Sequence, residues 1–138
     1  MQPFFLESIT AGGDCAVLRI EGEIDAYAAP QLRERVIDLA GNGIVHIIAD
    51  LRGAGFLDSA GLGALVGSLK ALRARGGSLT LVASTDRVLQ VLRITGLSGA
   101  FALHPCVPDA ITADQHWQAA VSGEGGSTGE WCRTHGVL

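Results

Sequence analysis

The 138-residue sequence has no apolar run approaching the 18 or more residues that a membrane-spanning helix needs. Its beginning also lacks the basic segment and following apolar stretch of a secretory leader. A soluble, unexported, cytoplasmic protein without membrane contact is therefore expected. Basic residues are few and scattered, 10 Lys and Arg against 14 Asp and Glu, for a net charge of −4. Nucleic-acid binding, which relies on a basic face, is disfavoured. The three cysteines, Cys15, Cys106 and Cys132, are odd in number and isolated, and no C-x-x-C pair exists for zinc or redox work. They read as two small buried apolar side chains and a terminal thiol with no assigned use. Charged residues make up only 17% and apolar residues 48%, which excludes a disordered polyelectrolyte.

What is present suffices for one core. A chain of this length is expected to form a single domain and to bury roughly 68% of its unfolded surface. In residues 16–25, Ala16, Leu18, Ile20, Gly22 and Ile24 alternate with Arg19, Glu21, Glu23 and Asp25, the period of a half-buried strand. Residues 4–9 form a candidate edge strand, paired across Gly12-Gly13-Asp14. Pro30, Leu32, Val36 and Leu39 then mark a helix that stops at Gly41-Asn42-Gly43. The run IVHIIADL, 44–51, reads as a central strand covered on both faces, followed by a turn at Arg52-Gly53-Ala54-Gly55. A second helix starts near Ser59, with Leu62, Leu65, Val66, Leu69 and Leu72 as its stripe. After a strand at 78–83, Ser84 is expected to cap a third helix carrying Val88, Leu89, Val91 and Leu92. A short strand at 101–103 precedes a fourth helix from Pro108-Asp109, with Ala110, Ala113, Trp117, Ala120 and Val121 inward.

This order predicts an α/β fold with a largely parallel, mixed sheet of about five strands flanked by four helices. The domain is expected to span residues 1–121. Residues 122–130 hold four glycines and no apolar side chain, so 122–138 is expected to be a flexible tail. Its end, WCRTHGVL, has a docking peptide as the alternative reading.

The segment GFLDSAGLGALVG, 55–67, carries the functional signal. It puts Asp58 and Ser59 at a helix start, just past an apolar strand. Both residue types are favoured caps, so a purely structural role is available to them. Glycines 61, 63 and 67 ask for more, because each costs about 0.8–1 kcal/mol relative to alanine inside a helix. Close approach to the sheet beneath or to a docking partner above is the natural reason. A helix start also tolerates an anion, so a phosphate on Ser59 would leave the fold intact while adding about −1.5 to −2 charges to its surface. That combination describes a switch.

Together with this segment, GEIDAYAAPQLRERV (22–36), RARGGSLTLV (73–82) and RVLQVLRITGL (87–97) make the chain resemble the STAS-domain anti-sigma factor antagonists from about residue 3 to 120. The resemblance implies a single STAS-type domain that needs no cofactor and is not an enzyme. In that family the unphosphorylated protein binds an anti-sigma factor, a serine kinase with a histidine-kinase-like ATPase fold, and so frees a sigma factor. The kinase phosphorylates a serine, and a PP2C-type phosphatase restores it. Carried over to this sequence, Ser59 is the phosphoacceptor, Asp58 the acidic residue before it, and Asp25 a loop residue beside it at the partner surface. Gly61 and Leu62 complete the D-S-x-G-L motif. Ala60 stands where the family usually has a second hydroxyl, leaving Ser59 as the motif's only acceptor.

Rival readings fare less well. A hydrolase elbow around Ser59 would need glycine at 57, which is Leu57, and His46, His104, His116 and His135 assemble no triad in the sequence. A nucleotide-binding or signalling-complex STAS module is the alternative, but the dinucleotide pattern needs glycine at 66, which is Val66, and no Walker lysine follows. No metal is expected, since Asp25, Asp50 and Asp58 have no histidine or cysteine at ligand spacing.

Overall fold

The computed structural model describes residues 3–138. Strand β1 (Phe5–Ala11) pairs antiparallel with β2 (Cys15–Ile24), turning through two left-handed glycines, Gly12 and Gly13. There follow α1 (Ala28–Gly41), β3 (His46–Leu57), α2 (Ser59–Arg73), β4 (Ser78–Val82), α3 (Asp86–Ile94), a 3-10 turn (Leu97–Gly99) and β5 (Ala102–His104). Three short helices close the chain: α4 (Val107–Thr112), α5 (Gln115–Ser122) and α6 (Thr128–Thr134). The sheet runs β1-β2-β3-β4-β5, antiparallel only between β1 and β2. The fold is thus α/β with a mixed, largely parallel sheet, and it has six helices where four were expected.

Strand order explains the layering. A sheet that grows in one direction through right-handed crossovers must put every crossover helix on the same face. Accordingly Leu32 of α1, Leu65 and Leu72 of α2, and Leu92 of α3 share one core with Leu18, Ile20, Ile47 and Leu81 of the sheet. The opposite face, presented by Cys15, Val17, Ile48 and Val82, is left for elements after β5. Val107 and Ile111 of α4, Trp117 of α5, and Trp131 and Cys132 of α6 form a second core on it.

Six expectations are corrected. Residues 122–138 are not a loose tail, because α6 is N-capped by Ser127, whose Oγ accepts from Glu130 N at 3.2 Å. Trp131 is only 4% exposed and meets Trp117 edge-on, with ring centroids 6.1 Å apart. The fourth helix breaks in two where the Asp114 carboxylate accepts from the backbone N–H groups of His116 and Trp117 and starts a new helix. Ala113, expected inward, is exposed at that break. Arg52-Gly53-Ala54-Gly55 is strand, not turn: β3 runs on to Leu57 with two register shifts against β2. Gly53 is needed there for close approach, since a Cβ would lie 2.7 Å from Glu21 Cγ. Finally Thr85, not Ser84, precedes α3, and the N-terminal half of β2 is buried on both faces because α4–α6 cover its second side.

Candidate functional site

The ends of β2 and β3 meet at the register pair Ile24 and Leu57, and Asp58 N donates to the Ile24 carbonyl at 3.3 Å. The loops that begin with Asp25 and Asp58 therefore leave the sheet side by side. Asp25 Oδ1 accepts from the backbone N–H groups of Tyr27 and Ala28, both at 3.0 Å, and so fastens the start of α1. Asp58 is the N-cap of α2, with extended backbone and its Oδ1 accepting from Gly61 N at 3.0 Å. Each carboxylate is half-buried and spends one oxygen on a helix start. The structural role weighed for Asp58 is real, and its charge still faces the same surface.

Ser59 is exposed in the first turn of α2, a turn with no acidic residue of its own. Gly61 and Leu62 are buried on the opposite side of the helix, against the fold. A Cβ on Gly61 would stand 2.5 Å from the Ile24 carbonyl oxygen, so this glycine lets α2 sit against the end of β2. Leu62 is 9% exposed and belongs to the first core. These two residues seat the helix that presents Ser59. Gly67 approaches α1, its Cβ position lying 3.3 Å from Arg33 Cζ. Gly63 is different: exposed, with nothing within 4 Å of a Cβ built on it, so nothing within the fold calls for glycine there.

Two neighbours escaped the sequence reading. Tyr27 is 86% exposed beside Asp25, and a cleft of about 430 Å³ opens next to it, lined by Phe4, Glu23, Asp25, Tyr27 and Gln31 among others. The available signal was a tyrosine two residues after Asp25 in a sequence with only 5% aromatics. Asp50 is not part of this surface. It is 5% exposed, and both its oxygens are held by the Arg52 guanidinium at 2.9 Å. The three carboxylates considered as a metal set are thus split. His46 is half-buried, with Nδ1 at 3.0 Å from Ser78 Oγ. No helix among the described residues is long and apolar enough to cross a membrane.

The STAS domain family model matches residues 8–110, and the chain belongs to that family. An anti-sigma-B factor antagonist of Bacillus subtilis is 43% identical over 80 residues, covering 58% of this chain and 72% of that protein. One from Listeria monocytogenes is 44% identical over 80 residues, covering 57% and 69%. Among solved structures, an anti-sigma factor antagonist from Mycobacterium paratuberculosis superposes with a TM-score of 0.72 at 28% identity, covering 80% of this chain and 93% of that one. The Bacillus cell fate determinant SpoIIAA in its phosphorylated form gives 0.62 at 28% identity, covering 80% and 98%.

Proposed function

We propose that this chain is a phosphorylation-controlled anti-sigma factor antagonist, regulatory and not enzymatic. In its unphosphorylated form it binds an anti-sigma factor that is also a serine kinase of histidine-kinase-like ATPase fold, and a sigma factor is released. Phosphorylation of Ser59 ends that binding, and a PP2C-type phosphatase renews it. The observation that carries this reading is the exposure of Ser59 in the first turn of a 15-residue helix, beside Asp25 and Asp58. The names of its relatives, one of them solved in phosphorylated form, support it. Asp25, Asp58, Ser59 and the exposed Tyr27 form the docking surface, and Gly63 gives the partner close access to the helix backbone.

The switch acts at the interface. A helix start stabilises an exposed anion by about 0.3–1 kcal/mol. Repulsion from a neighbouring carboxylate in water is about 1 kcal/mol at close range, so the two effects nearly cancel within the domain. Between docked surfaces water is excluded, and a new charge of about −1.5 to −2 has no such compensation. A binding loss of 3 kcal/mol weakens affinity roughly 150-fold. Titrating the anti-sigma factor with wild type, Ser59→Ala and the phosphoprotein tests this, with thermal melts alongside. Wild type and Ser59→Ala should bind alike, and the phosphoprotein should bind at least about 100-fold more weakly while melting within a few degrees of wild type. A phosphoprotein that binds as tightly as wild type overturns the proposal.

A further inference from the structure

At the end of the sheet opposite Ser59, the β1–β2 turn, the starts of β2 and β3 and the first turn of α5 converge. Asp14 and Cys15 come from the turn and β2, His46 opens β3, and His116 follows the α5 cap. Asp14 Oδ2 lies 2.8 Å from His116 Nε2, and Asp14 Oδ1 lies 3.5 Å from Cys15 Sγ. One donor atom from each of Asp14, Cys15 and His116 falls within 4.8 Å of the other two. The His46 ring lies against that of His116, centroids 4.0 Å apart at 34°, and is itself held by Ser78.

These distances can be compared with what an ion demands. Tetrahedral zinc with bonds of about 2.0–2.3 Å to nitrogen, oxygen and sulfur sets its ligand atoms about 3.3–3.8 Å apart. The cluster needs only small side-chain shifts to meet that spacing. The donors also differ in kind, one carboxylate, one thiol and one imidazole, the mixture that suits a borderline-soft ion over magnesium or calcium. Access is one-sided. Cys15 is fully buried, while the Asp14 and His116 side chains are 40% and 45% exposed. Both line a cleft of about 430 Å³ together with Gly12, Ala120 and Glu124.

We propose that Asp14, Cys15 and His116 form a binding site for a zinc-class divalent cation, with water from the cleft in the fourth position. On binding, the Cys15 S–H bond gives way to a sulfur–metal bond and the proton passes to solvent, with no change of oxidation state. His46 is a positioning residue that backs the His116 ring. The ion would fasten α5 to the β1–β2 turn, clamping the second helical layer onto the sheet. Eleven residue steps of β3, about 36 Å of strand, separate the site from Leu57 at the Ser59 end. The ion site and the proposed docking surface thus lie at opposite ends of the sheet.

The test is titration of the metal-stripped full chain, with Zn²⁺ followed by calorimetry and Co²⁺ by absorption. One ion per chain and a near-ultraviolet thiolate-to-cobalt charge-transfer band are expected. His116→Gln alters a half-exposed side chain and carries little folding risk, so it decides first, with Asp14→Asn beside it. Each should weaken binding at least about tenfold. Cys15→Ser should abolish the band, and Cys106→Ser and His104→Gln should change neither readout. No charge-transfer band in the folded wild type, or full affinity retained in His116→Gln and Asp14→Asn, overturns the site and leaves an Asp14–His116 hydrogen bond.

Discussion

Replacing Trp131 by alanine isolates what the last 17 residues do. The indole is 4% exposed, edge-on to Trp117, stacked on His135 with centroids 4.4 Å apart, and its Nε1 donates to Glu124 Oε1 at 3.3 Å. Emptying a core tryptophan site costs about 3–5 kcal/mol. The site lies near a chain end that can partly collapse into the void, so the lower figure, about 3 kcal/mol, is appropriate. For a domain of this size each kcal/mol moves the melting temperature by about 3–5 °C, giving a fall of about 10–15 °C. Deleting residues 122–138 should cost at least as much. It also removes Cys132 and Val137 from the second core and takes the Val137 and Leu138 carbonyls from Arg52. Scanning calorimetry with tryptophan fluorescence on wild type, Trp131→Ala and the deletion is the assay. If both variants melt within two degrees of wild type, α6 does not cover the sheet in solution and the packing argument fails.

Four further outcomes are expected. Kinase and ATP should place phosphate on Ser59, mapped by mass spectrometry; Ser68 is 3% exposed and out of reach, and modification chiefly at Ser78 or Ser84 would sink the assignment. Gly61→Ala should destabilise the fold by about 1–3 kcal/mol through its clash with the Ile24 carbonyl. Gly63→Ala, in open space, should stabilise α2 by up to about 1 kcal/mol while weakening partner binding, so melting and titration should move in opposite senses. Burial, with the neighbouring Cys106 adding to it and Arg52 opposing it, pushes the Cys132 thiol up to about 11 from an ordinary 9.0. The unfolded chain then loses this proton first, so stability should fall as pH rises from about 9 to 11, and Cys132→Ala should flatten that part of a melting-temperature-against-pH profile.

The two faces of the sheet were not equally legible. Crossover helices α1–α3 alternate with strands at a few residues' distance, so local periodicity announces them. The same order also carries a global consequence: all three helices must fall on one face, and an apolar IVHIIADL strand then needs a second cover. One broken helix is too little for that purpose. The cover is α6, and its signal was in the sequence as Ser127-Thr128-Gly129-Glu130, a capping-box pattern directly before Trp131. Glycine density outweighed it, although Gly125 and Gly126 serve as left-handed turn residues between two helices. Asp114 was overlooked in the same way, as a cap hidden inside an amphipathic stripe.

A similar contrast separates the two ends of the sheet. At the strand C-termini, Asp58, Ser59, Gly61 and Leu62 fall within five consecutive residues, so one motif carries the candidate site, and the family resemblance adds Asp25. What contiguity cannot tell is direction: within one turn of helix, Ser59 faces solvent while Gly61 and Leu62 face the core, because Gly61 must lie against Ile24. At the strand N-termini the cluster draws on positions 14, 15, 46 and 116. No spacing rule joins residues so far apart; only the parallel register, Cys15 opposite His46, and the Asp114 cap that aims His116 back across them do so. Side chains brought together by three separate elements are invisible to a motif search, yet the backbone fixes them as firmly as the helix cap fixes Ser59.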